Sequence, residues 1–91
     1  IEPHEQIYYN HEGQLLETSI GNIVLKIEDQ LYTPPVHLGL LNGIYRQSLI
    51  ADNKLKEKVL TVKDMEQAQA IYGCNAVRGL YELKVEGYNY I

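Results

Sequence analysis

The proline pair Pro34-Pro35 constrains this chain more than any other feature. Proline offers no N–H to a ladder and fixes its own φ, so a strand that reaches the pair must stop there. Ahead of it, apolar residues come in short runs separated by turn formers. Ile7-Tyr8-Tyr9 is closed by Asn10-His11-Glu12-Gly13, which favours a tight turn with positive φ at Gly13. Gln14 to Glu17 resumes an extended pattern, so these two runs predict a hairpin. Ile23 to Ile27 is β-branched and apolar, Glu28-Asp29-Gln30 supplies the next turn, and Leu31-Tyr32-Thr33 pairs back to give a meander.

Beyond the prolines the spacing changes. Val36 to Asn42 carries Gly39 and no clear period, which reads as loop. From Ile44 to Asp52 the residues Leu49 and Ile50 fit one helical face, with Gly43 just ahead. Lys58 to Thr61 reads as a strand. Thr61 caps a second helix from Val62 to Ala70, with Asp64 well placed in its first turn. Ile71-Tyr72 and Leu80 to Val85 read as strands around a bend from Gly73 to Gly79. The order β-β-β-β-α-β-α-β-β predicts a small mixed α/β domain, a meander followed by alternating helices and strands.

Residues 1–91 make one domain with a thin core, of the kind a partner domain or subunit often completes. The chain opens on Ile1 rather than Met, and we expect a domain excised from a longer protein. A net charge of -4 argues against a nucleic-acid surface, which needs clustered Lys and Arg. The densest basic stretch, Lys54-Leu55-Lys56-Glu57-Lys58, reads as a solvated face. No apolar run reaches the ~20 residues of a membrane helix. A lone cysteine, Cys74, leaves no internal disulfide and makes the cytoplasm the expected compartment. His4, His11 and His37 lack metal-ligand spacing, so no metal site is expected.

Three features bear on chemistry. The Gly-containing approach Leu41-Asn42-Gly43-Ile44-Tyr45-Arg46 leads into a helix, whose free N–H groups and dipole favour an anion. Cys74-Asn75-Ala76-Val77-Arg78-Gly79 has small residues that let backbone approach a ligand. Glu17 ends a half-buried strand. Taken singly, an ordinary loop-to-helix junction, a tight β-bend and a surface glutamate account for them.

Taken in series they resemble one family. Glu17-Thr18-Ser19-Ile20-Gly21-Asn22-Ile23 resembles the E-[ST]-x-x-x-N-[IL] segment of class IV aminotransferases, the fold-type IV pyridoxal-phosphate enzymes. Thr33-Pro34-Pro35, Gly39 and Leu41 to Gln47 resemble the family's TPP…G-x-L-x-G-I-x-R stretch, and Asn75 to Leu80 its N-[SA]-x-x-G-[IL] bend. The resemblance implies that Glu17 pairs with the cofactor's pyridine nitrogen. It further implies that Gly43, Ile44 and Tyr45 offer N–H groups to the phosphate, with Asn75 and Ala76 completing that site. Transaminases of the family usually have threonine at the place of Tyr45 and threonine-rich sequence at that of Asn75, and Arg78-Gly79 also resembles the aminodeoxychorismate lyase branch. That branch converts 4-amino-4-deoxychorismate to 4-aminobenzoate and pyruvate. The alternatives are a branched-chain or D-amino acid transaminase, or a non-catalytic assembly domain. The family's Schiff-base lysine lies upstream of the glutamate, and no lysine precedes Glu17 here. The expectation is a small-molecule enzyme that needs an upstream domain, a homodimer at full length, with this segment inactive alone.

Overall fold

Asn10 closes the first turn with its own side chain, Oδ1 accepting the N–H groups of Glu12 and Gln14 at 3.0 Å each, while Gly13 takes φ 76°. The turn joins β1 (His4–Tyr9) to β2 (Leu15–Thr18) as an antiparallel pair, in a computed structural model that describes residues 4–91. A second hairpin joins β3 (Asn22–Ile27) to β4 (Gln30–Thr33). Its turn residues Glu28 and Asp29 both lie in the left-handed region, at φ 50° and 65°, as a two-residue turn matched to strand twist requires. As the proline pair demands, β4 stops at Thr33. A single 3-10 turn, Val36–Leu38, then leads to α1 (Ile44–Ala51).

The next stretch departs from the sequence reading. The strand expected at Lys58–Thr61 lies instead at β5 (Lys56–Glu57), parallel to β4, and Thr61 makes only an isolated bridge to Gln14. The Lys58 N–H closes onto Thr33 O at 2.9 Å, which ends that pairing. Thr61 does cap α2 (Val62–Gln67). Its hydroxyl accepts the Asp64 N–H at 3.1 Å, and the Asp64 carboxylate accepts the Thr61 N–H at 2.9 Å, a reciprocal capping box. The helix stops short of Ala70 because Ala70 already pairs with Lys26 at the start of β6 (Ala70–Asn75). The bend expected over Gly73–Gly79 is correspondingly tighter, with β7 (Gly79–Glu82) returning at once. The run from Leu80 to Val85 breaks at buried Leu83, and β8 (Lys84–Tyr90) follows.

The strands form two sheets, of order β2-β1-β8 and β5-β4-β3-β6-β7. The expected meander is therefore two hairpins in different layers. The tight turn Thr18-Ser19-Ile20-Gly21 carries the chain from one to the other, with Thr18 N–H on Gly21 O at 2.9 Å. The β8 strand lies parallel to β1, His4 opposite Lys84 and Tyr9 opposite Tyr90, a pairing of chain ends.

Alternation along β3 shows why it is buried on both faces. Ile23 and Leu25 face the small sheet and pack with Ile7, Leu15, Leu60, Met65 and Leu83. Val24 faces the other way and packs with Cys74, Leu49 of α1 and Leu55. The layers are thus small sheet, large sheet, helix. Leu55 is buried within the basic stretch taken for a solvated face, while Lys54, Lys56 and Lys58 around it are exposed. Among the described residues no helix is long and apolar enough to cross a membrane.

Candidate functional site

One end of the large sheet opens into a cleft of about 370 Å³. The cleft is lined from three directions: the end of β2 with its Thr18–Gly21 turn, the loop entering α1, and the end of β6. A volume of this size suits a small organic molecule. The sequence-predicted residues Glu17, Gly43, Ile44, Asn75 and Ala76 all line it. Tyr45 does not. Its ring packs instead toward the bend, 3.4 Å from where a Cβ on Gly79 would stand.

Glu17 is half-buried, and its Oε1 accepts the Leu41 N–H at 3.3 Å. Asn22, five residues on and at the start of β3, donates from Nδ2 to the Leu41 carbonyl at 2.8 Å. The Leu41 peptide is therefore held on both sides by one short segment, which fixes the loop ahead of α1. Gly43 is the helix N-cap and supplies no side-chain cap. A Cβ there would stand 2.6 Å from Asn22 Oδ1, so only glycine passes without displacing Asn22. The first-turn N–H groups of α1 have no partner within their own helix, and the dipole gives this end positive character.

Arg46 holds the same loop from below. It is 2% exposed, donates to Asn42 Oδ1 at 2.8 Å and to Pro34 O at 2.9 Å, and ion-pairs with Glu57. Glu57, which the sequence shows only as a break in a basic run, is thus the counter-ion of a buried arginine. Nothing in local spacing signals this, because the pair is made by the parallel β4–β5 register.

The opposite wall is the β6–β7 bend. Asn75 Oδ1 accepts the N–H groups of Val77 and Arg78 at 3.0 and 2.8 Å, and Gly79 takes φ 72°. Asn75 Nδ2 donates to Ile20 O at 3.3 Å, tying the bend to the Thr18–Gly21 turn. A Cβ on Gly21 would stand 2.6 Å from the Cys74 carbonyl oxygen, so the two backbones pass in near contact. The Asn75 side chain is spent on this turn and leaves backbone groups as what the bend can offer a ligand. Gly21 and Asn22 are lining residues that the residue-type reading passed over, and Leu41 entered it only as part of the approach to the helix. Cys74 lies buried beside the bend, and burial pushes its thiol up to about 11, with Arg46 opposing, so it is a neutral packing group.

The cleft joins a carboxylate, a free helix N-terminus and a close backbone bend. Those are complementary to a ligand with a protonated ring nitrogen at one end and an anion at the other. Pyridoxal phosphate has that charge pattern, and the donor set fits it.

Comparison with known proteins agrees with this reading of the fold. Residues 2–84 match the model of the amino-transferase class IV family. A candidate amino-acid aminotransferase of Mesorhizobium loti is 29% identical with a TM-score of 0.83, over 89% of this chain and 40% of that one. A candidate 4-amino-4-deoxychorismate lyase of Legionella pneumophila is 30% identical with a TM-score of 0.81, over 93% and 33%. A branched-chain aminotransferase of Thermoproteus uzoniensis, solved with norvaline, is 28% identical with a TM-score of 0.80, over 91% and 30%. The chain spans two fifths or less of the length of these proteins.

Proposed function

Because this chain belongs to the class IV aminotransferase family, whose enzymes depend on pyridoxal phosphate, we propose that it is the C-terminal domain of an aminodeoxychorismate lyase-like enzyme. The observation that carries the reading is the gathering of Glu17, the α1 N-terminus and the Asn75–Ala76 bend around one cleft.

When bound, pyridoxal phosphate supplies a conjugated ring that takes up negative charge developing on the substrate. The Glu17 carboxylate would hold a proton on the ring nitrogen, since a nearby negative charge favours the protonated form. The Leu41 N–H on Glu17 Oε1 keeps that carboxylate aimed. Backbone N–H groups of Gly43 and Ile44, which line the cleft, would take the phosphate, with the dipole of α1 behind them. Asn75 and Ala76 close the site from the bend. No lysine precedes Glu17 here, so the family's anchoring lysine would have to be supplied by other sequence, and the lyase activity is proposed for the full-length enzyme.

Lyase is favoured over transaminase by Tyr45 and Asn75. Where transaminases usually place a threonine hydroxyl after Gly-Ile, Tyr45 turns its ring toward Gly79 instead of lining the cleft. The second reading, a branched-chain aminotransferase, draws on the likeness to the Thermoproteus uzoniensis enzyme.

The deciding experiment gives the full-length enzyme 4-amino-4-deoxychorismate, and separately an amino acid with a 2-oxo acid. Equal amounts of 4-aminobenzoate and pyruvate are expected from the first. Amino transfer with no 4-aminobenzoate would replace the lyase by the transaminase. A full-length protein that binds no pyridoxal phosphate and does neither would be an assembly domain.

A further inference from the structure

Glu5 is a carboxylate in the middle strand of the small sheet, 4% exposed, two residues before the core residue Ile7 and so on the same face of the strand. Its Oε2 accepts the Tyr81 hydroxyl at 2.7 Å, and its Oε1 is buried with no hydrogen-bond partner among the described residues. Leaving such an oxygen unpaired costs about 1–3 kcal/mol. A residue kept for stability alone would be apolar here, so the carboxylate calls for another explanation.

Tyr81 supplies it. The ring lies flat over β6, where a Cβ on Gly73 would come within 2.7 Å of it. The Arg78 guanidinium stacks on the ring, 4.6 Å from its centroid. Asn75 Nδ2 stands 3.5 Å from the Tyr81 oxygen, a long contact but one on the same amide that reaches Ile20 O. Asn75 and Arg78 are the two ends of the bend that walls the cleft. Tyr81 therefore touches both ends, and Glu5 anchors Tyr81 from the other sheet. Burial and the Glu5 carboxylate both push the Tyr81 hydroxyl upward, which keeps it a proton donor throughout the neutral range.

We propose that Glu5 and Tyr81 are positioning residues, a brace between the two sheets that sets the Asn75–Arg78 bend for binding the cofactor's phosphate. The last part of this rests on the cofactor reading above. The brace itself does not, and the two can be tested apart.

The informative variant is Glu5→Leu with Tyr81→Phe in the full-length enzyme. Removing both partners of a buried hydrogen bond in favour of apolar groups is close to neutral for stability, whereas the hydrogen-bonded link between the sheets is lost. Amide hydrogen exchange at Ala76, Val77 and Arg78, measured without cofactor, is expected to quicken about tenfold, the factor that corresponds to one lost hydrogen bond. The dissociation constant for pyridoxal phosphate is expected to rise by a similar factor, with the thermal midpoint held. Glu5→Gln, whose amide oxygen can still accept from Tyr81, should restore most of both. Thr61→Ala, which weakens a helix away from the cleft, is the control and should move neither. Unchanged exchange in the double variant would overturn the brace. Faster exchange with unaltered cofactor affinity would overturn its role in binding. A wild-type enzyme that binds no pyridoxal phosphate would overturn the functional reading, while the exchange measurement still decides the brace.

Discussion

Gly21 and Gly43 stand on different walls of the cleft, and each is a glycine for lack of room rather than for an unusual φ. At Gly21 the obstacle is the carbonyl oxygen of Cys74, 2.6 Å from where a Cβ would be, and backbone in a central strand cannot retreat. At Gly43 the obstacle is Asn22 Oδ1, also 2.6 Å away, the tip of a side chain that can rotate. Gly21→Ala should therefore cost roughly 2–3 kcal/mol, at the upper end of overpacking strain. Gly43→Ala should cost about 1 kcal/mol, since alanine is also a poorer N-cap than glycine. Freed from its place, Asn22 would then release the Leu41 carbonyl. Denaturant midpoints of the two variants check the order, and equal losses would show that Asn22 is as immobile as backbone. The glycine at 43 was legible from its place before a helix. The reason for it was not, because Asn22 is 21 positions earlier in the chain.

The elements that declared themselves in the sequence are those closed by local chemistry. The Asn10–Gly13 turn is made by Asn10 reaching two and four residues ahead, and the stop at Thr33 by the prolines that follow it. The start of α2 is another. This helix has only six residues, too few to be stable by itself. It is held by the Thr61–Asp64 box and by Met65, 2% exposed, in the core between the sheets. Thr61→Ala removes the acceptor for the Asp64 N–H and should lower stability by about 1 kcal/mol, while Thr61→Ser, which keeps the hydroxyl, should stay close to wild type. Urea unfolding of the pair is the measurement. A Ser variant as weak as the Ala variant would mean that the threonine methyl, and not the cap, carries the effect. Elements set by distant partners were misread or missed. The β5 strand is placed by the parallel edge of β4, and β8 by β1 at the far end of the chain, and neither pairing leaves a period in its own residues.

At the scale of the whole molecule, two apolar interfaces are stacked on the large sheet, and the candidate site sits where both layers end. Glu17, Gly43, Ile44, Asn75 and Ala76 could be picked out in sequence as neighbours of one cleft because their order along the chain follows the family's motifs, whereas Tyr45 turned out not to line it. What could not be read was how the layers fix them: Glu57 under Arg46, and Glu5 through Tyr81. The same layering governs how the fold responds to alkali. Cys74, on β6, lies sealed under α1 beside Val24 and Leu49, and burial pushes its thiol up to about 11 from an ordinary 9.0. A raised folded-state pKa means that the native protein keeps a proton the unfolded chain gives up. The contribution to stability is thus full below about pH 9 and is lost as the pH rises toward about 11. For a shift of this size the loss is on the order of 2 kcal/mol. The Tyr81 hydroxyl, raised by burial and by Glu5, adds a loss of the same sign that begins higher. Cys74→Ala should lower stability at neutral pH by leaving a small void, yet flatten the decline between about pH 9 and about pH 11 relative to wild type. Unfolding midpoints across that window, compared between the two proteins, give the test. Parallel declines would mean that the Cys74 proton is no more tightly held in the native state than in the unfolded one.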